Sequence, residues 1–167
     1  MVNLQSLALP PDMSLQEGTL DFLSSDPKML LINGEWKEAA SGETFPTINP
    51  ATGEVLARVA LAGQQDVDLA VDAARRAFES GPWTVMHGDD RARLLWRVAE
   101  LIERYADELS DLETLDNGKS LHIARKGNIP MAARHFRYYA GWAGKIADAT
   151  LPVSHPDHLV YTLREPV

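Results

Sequence analysis

Apolar positions along the chain follow two rhythms. Residues 29–61 carry short apolar runs broken by turn residues, and residues 64–146 repeat apolar positions at helical spacing. In the first region "MLLINGEWKEA" reads as two short strands around Asn33-Gly34, with a type I′ turn at the tip. Thr44–Ile48 and Glu54–Leu61 read as two more strands around an Asn49–Gly53 turn. In the second region "QQDVDLAVDAARRAFESGPW" predicts a helix with Asp66 as N-cap and Gly81-Pro82 as its stop. Val67, Ala70, Val71, Ala74 and Phe78 would form its apolar face.

A second helix is expected from Asp89 or Asp90, burying Leu94, Leu95, Val98, Leu101, Ile102 and Tyr105. Asp107 is expected to cap a third, with Leu109, Leu112 and Leu115 as its stripe. That helix stops at "DNGK", where Asn117-Gly118 signals a turn and Gly118 suits a left-handed C-terminal position. Helix resumes near Ser120. Pro130 cannot lie in a helix interior, so one short helix is expected to end at Gly127 and Asn128 to cap the next. The next helix would present Phe136, Tyr139, Trp142 and Ala143 on one face. Two closing strands are expected at Thr150–Val153 and Leu159–Leu163.

These elements divide the chain into a flexible N-terminal extension (1–28), a helix-rich body (29–146) and a hairpin segment (147–167). The extension is punctuated by Pro10-Pro11 and Asp26-Pro27, with at most a weak helix around Ser14–Leu23. The fold class is α/β, with too few strands for a complete sheet: the strands that so many helices should cover are missing. That pattern suits a part of a larger fold.

Composition narrows the function. The 167 residues are 45% hydrophobic, which suits a folded core. A net charge of −8 with no basic stripe argues against nucleic acid. With no cysteine in the chain there is no disulfide, no thiolate metal site and no cysteine nucleophile. The start lacks the pattern of a secretory signal, and no apolar stretch reaches membrane-spanning length, so the expected setting is cytoplasmic and no membrane partner is expected.

Candidate chemistry is sparse. Of five histidines only His155 and His158 are close, and a metal site needs more ligands. "SDPK" (Ser25–Lys28) matches S-x-x-K without the partner motifs of that chemistry. The glycines never fall into G-x-G-x-x-G. Glu100 and Glu103 read as helix-surface charges, and Phe136, Tyr138, Tyr139 and Trp142 as packing.

From Met29 to Val167 the chain resembles the N-terminal part of the NAD(P)-dependent aldehyde dehydrogenase superfamily. The resemblance lies in "INGEW", "INPATGEVLARV", "DVDLAVDAARRAF", "RARLLWRVAELIERYADELSDLETLDNGK", "RYYAGWAGKI" and "REPV", in that order. It implies a Rossmann-like cofactor domain and, in a complete enzyme, oxidation of a small aldehyde to a carboxylic acid with NAD or NADP. The steps are thiolate attack, hydride loss to the nicotinamide and hydrolysis of a thioester. The family's oxyanion asparagine, cofactor-contacting residues, glutamate base and catalytic cysteine all follow the "REPV" segment. No catalytic and no cofactor-binding residue is therefore assigned here, no cofactor is expected to bind this chain alone, and the chain alone is expected to be inactive.

The resemblance does transfer some supporting roles. Thr47, the carbonyl of Ile48 and Asp116 match positions that hold a structural monovalent cation, K⁺ or Na⁺. Gly127 and Met131 match the mouth of the substrate tunnel. The 150–164 hairpin matches an arm used in homo-oligomer assembly, as dimer or tetramer. The alternative reading is a truncated, non-catalytic interaction module that binds a full-length subunit.

Overall fold

The computed structural model of the chain describes Leu9, residues 14–25 and residues 27–165. The readings placed on Pro10-Pro11, on Asp26 and on the last two residues lie outside the described residues.

Three small antiparallel sheets of two strands each are present among the described residues. The first pairs β1 (Leu30–Ile32) with β2 (Glu35–Lys37), and Ile32 faces Glu35 across the turn. Asn33 (φ 54°) and Gly34 (φ 79°) are both left-handed, the type I′ geometry read from the Asn-Gly pair. The second pairs β3 (Thr44–Ile48) with β4 (Val55–Ala60). Lys28 adds a short parallel bridge to β4, donating to Arg58 O and accepting from Ala60 N–H, each at 2.8 Å. The third pairs β5 (Thr150–Leu151) with β6 (Val160–Tyr161), within the expected closing strands but shorter.

The helices are α1 (Glu17–Ser24), α2 (Gln64–Ser80), α3 (Pro82–Val85), α4 (Gly88–Arg104), α5 (Ala106–Asn117), α6 (Leu121–Ile123) and α7 (Ile129–Trp142). α1 packs on α5 and β4, and Leu23, Leu56 and Leu115 meet there as a small core bordered by Leu9, Leu15 and Leu112. Each fully buried leucine contributes about 1.5–3 kcal/mol.

Four details differ from the sequence reading. Asp66 is not the N-cap of α2; Gly63 is. Asp66 sits one turn inside, buried, where its carboxylate accepts from Gly63 N–H at 2.9 Å and Ala40 N–H at 3.0 Å. One side chain thus satisfies an open helix donor and ties α2 to the strand region. Asp107 likewise lies in the first turn of α5, with Tyr105 as its N-cap.

The break expected at Gly127-Asn128 does not occur. Ala124–Asn128 form a π turn between α6 and α7, and Asn128 keeps helical angles (φ −64°, ψ −53°) without a side-chain cap. Ile129 N–H donates to Ala124 O, five residues back. The widened turn sits immediately before Pro130, whose ring and missing N–H conflict with a regular α-helical register.

The buried faces of α4 and α7 also differ. These two helices pack on each other, and their buried residues are small: Ala99 in α4, Ala133 and Ala140 in α7. Leu94, Val98, Leu101 and Tyr105 are exposed on α4, as are Phe136, Tyr139 and Trp142 on α7. Alanine lets two helix axes approach closely, so the bulky residues lie beside the seam instead of in it. α2 shows the same bareness: Val67, Val71 and Phe78 are all exposed.

Candidate functional site

The C-terminal end of α5 is built by three local devices. Gly118 takes a left-handed conformation (φ 73°, ψ 14°) and ends the helix; Asn117 stays helical, so only one of the two turn residues carries positive φ. A Cβ on Gly118 would lie 3.0 Å from Pro50 Cγ, so the β3–β4 turn abuts the helix end directly. Asn49 holds that turn, its side chain accepting from Ala51 N–H at 2.9 Å and its carbonyl from Gly53 N–H at 2.8 Å. Lys119 folds back to Glu113 at 2.6 Å. That hydrogen bond, with a second from Asn117, holds the Glu113 carboxyl below the usual glutamate range.

This packing brings Asp116 against β3. The Thr47 hydroxyl donates to Asp116 Oδ1 at 2.8 Å. Two of the three residues nominated for a cation thus meet. The third, Ile48, is next along β3, and the strand register shifts between Thr47 and Ile48. Such an irregularity takes a carbonyl out of the regular ladder. The donors are all hard oxygens at the negative end of a helix, which suits an alkali cation. Among the described residues, no group of three or more His, Cys, Asp or Glu could hold a metal. Thr47 and Asp116 also line a groove of about 550 Å³ between α1, the β3–β4 sheet and α5, with Phe22, Leu56, Leu112 and Ile129 on its apolar walls.

Gly127 lies in the π turn and is half-buried; Met131, one turn later in α7, is exposed. His155 and His158 lie with tilted rings, centroids 5.2 Å apart, in the exposed β5–β6 loop, where His158 Nδ1 lies 2.8 Å from Pro156 O. The S-x-x-K match has a plain structural use: the Lys28 ammonium donates to the carbonyls of Phe22 and Ser25 and to Ser25 Oγ, closing the end of α1. The aromatic residues of α7 cluster on themselves, with Tyr138 and Tyr139 edge to face at 5.2 Å.

Comparison with known proteins decides the family. The sequence profile of the aldehyde dehydrogenase family matches residues 36–167. The chain belongs to the aldehyde dehydrogenase family. It is 51% identical over 138 residues to aldehyde dehydrogenase family 2 member B4, mitochondrial, of Arabidopsis thaliana, covering 83% of this chain and 26% of that protein. It is 50% identical over 139 residues to the mitochondrial aldehyde dehydrogenase of Rattus norvegicus, covering 83% and 27%. The NAD⁺ complex of aldehyde dehydrogenase from Bacillus cereus superposes with a TM-score of 0.88 at 48% identity, covering 93% of this chain and 31% of that one.

The aldehyde dehydrogenase chain therefore spans about a quarter to a third of the length of the relatives it matches, over their N-terminal part. Its few strands and uncovered helix faces agree with an incomplete α/β sheet. No helix among the described residues is long and apolar enough to cross a membrane.

The sequence reading missed Asp111. It is fully buried on α5, and its carboxylate bonds to the start of α1 and to the π turn. An aspartate on the leucine-bearing helix gave no signal by itself; only the fold reveals its partners.

Proposed function

We propose that this chain supplies the scaffold of an NAD(P)-dependent aldehyde dehydrogenase, whose complete form oxidises an aldehyde to a carboxylic acid. The single observation that carries this reading is the match in both sequence and fold to an NAD⁺-bound relative, with 48% identity at a TM-score of 0.88. The chain itself has no cysteine, and the reaction needs a thiolate to attack the aldehyde carbon. Serine does not substitute, because its alkoxide is scarce near neutral pH. Alone, the chain forms no thiohemiacetal and passes no hydride.

Its own residues do three supporting things in this reading. Thr47, the Ile48 carbonyl and Asp116 hold a K⁺ or Na⁺ ion that fastens β3 to the end of α5. Gly127 and Met131 border the entrance to the substrate tunnel. The β5–β6 hairpin, with Leu151, Tyr161 and Leu163 exposed, pairs with a neighbouring subunit in a homo-oligomer.

The test is a chimera. The matching segment of the Bacillus cereus enzyme is replaced by this chain, and NADH formation with a small aldehyde is followed. Activity within about tenfold of the parent is expected, since segments of this identity keep core volume and pattern. A chimera that folds and binds NAD⁺ yet oxidises no aldehyde would defeat the reading.

A further inference from the structure

Asp111 is the one carboxyl on α5 with no exposure at all, and its hydrogen bonds leave the helix in two directions. Oδ2 accepts from the Gln16 backbone N–H at 2.9 Å and from the Thr19 hydroxyl at 3.3 Å, both at the start of α1. Oδ1 accepts from Arg125 Nη2 at 3.3 Å, in the π turn. Arg125 also lies 3.3 Å from Asp107 Oδ1, one turn earlier on α5. The neighbouring Ser110 is equally buried but is satisfied within its own helix, donating to Ala106 O at 2.6 Å. Of these two buried polar side chains, Asp111 is the one that joins α1 to the π turn.

We propose that Asp111 is a positioning residue through which the seating of α1 sets the shape of the π turn. A buried carboxyl is tolerated only while its oxygens are hydrogen-bonded or paired. With α1 docked, Asp111 is shielded from water and its attraction for the part-exposed Arg125 is screened less than it would be in solvent. When α1 leaves, Oδ2 loses both donors and water replaces them. The pair is then screened, and Arg125 holds the turn less firmly. The turn has little else to confine it on one side: a Cβ on Gly127 would meet nothing within 4 Å. Its fixed points are the fully buried Ala124 and the Arg125 contacts. α1, for its part, is shaped for close docking, because Gly18 lies where any Cβ would fall 2.4 Å from Glu108 Cδ. That the shape of this turn matters to the entrance at Gly127 and Met131 rests on the proposed function; the coupling from α1 to the turn does not.

Hydrogen exchange measured residue by residue tests the coupling without any aldehyde chemistry. In the full chain carrying Thr19→Val, exchange at residues 20–24 and at 124–129 is expected to rise together, about tenfold relative to the amides of α2, with Thr19→Ser restoring both. A rise at 20–24 alone, or at neither, overturns the proposal. Failure here leaves the chimera test untouched, and failure of the chimera leaves this one untouched.

Discussion

The Thr47 hydroxyl donates to Asp116 Oδ1 across 2.8 Å, joining two residues 69 positions apart in the chain. The bond locks the end of β3 to the end of α5, and it gathers the oxygens that would hold a monovalent cation. If a cation binds there, folding is linked to it. At a K⁺ or Na⁺ concentration tenfold above its Kd the chain is stabilised by about 1.4 kcal/mol over choline chloride of equal ionic strength. Thr47→Val and Asp116→Asn each remove that difference. Thermal unfolding in the two salts measures it.

Gly118→Ala should destabilise the chain by about 1–2 kcal/mol, because an L residue in the left-handed region is strained. The new methyl also meets Pro50 Cγ at 3.0 Å. Urea unfolding of the variant should show a lower midpoint at unchanged slope. Gly127→Ala, at a position with helical neighbours and open space for a Cβ, should be neutral or slightly stabilising.

Acid should loosen the α4–α7 pair in a defined direction. The Arg137 guanidinium grips the Glu103 carboxylate with two hydrogen bonds, and this holds the Glu103 pKa below its ordinary value. A lowered folded pKa means the contribution is complete above the unfolded value of about 4.3 and is lost as pH falls through the lower folded value. Glu103→Gln should remove that acid limb and lower neutral-pH stability by the same small amount, since the pair is largely open to solvent. Chemical unfolding across the acid range reads the difference.

The bare apolar faces predict self-association. Leu94 and Val98 on α4 and Val71 on α2 are large and exposed among the described residues. Exposed apolar side chains in such number favour association. Val71→Lys with Leu94→Lys should lower the apparent mass at high concentration without lowering the unfolding midpoint. Sedimentation and thermal unfolding of the same sample test both halves.

The strand turns and the C-terminal end of α5 were readable because their signals are local. Asn33-Gly34 dictates its own turn, and Gly118 its own helix end. Helix faces were not readable in α4 and α7, because the pairing seam uses alanine and the bulky residues flank it. The π turn at Ala124–Asn128 was hidden for a related reason: Gly-Asn-x-Pro fits a helix break and a widened helical turn equally well, and packing chooses. Of the candidate site, Thr47 and Asp116 were named through the family resemblance, and their meeting shows in the fold. Asp111 has meaning only through three separated partners, which no local pattern encodes.

On the proposed reading, this chain organises a reaction whose sulfur nucleophile it does not contain. The most direct measurement is NADH formation by the purified chain, incubated alone with NAD⁺ and a range of small aldehydes. No NADH is expected above the uncatalysed background. Sustained NADH formation that scales with the concentration of the chain and survives repurification would contradict it.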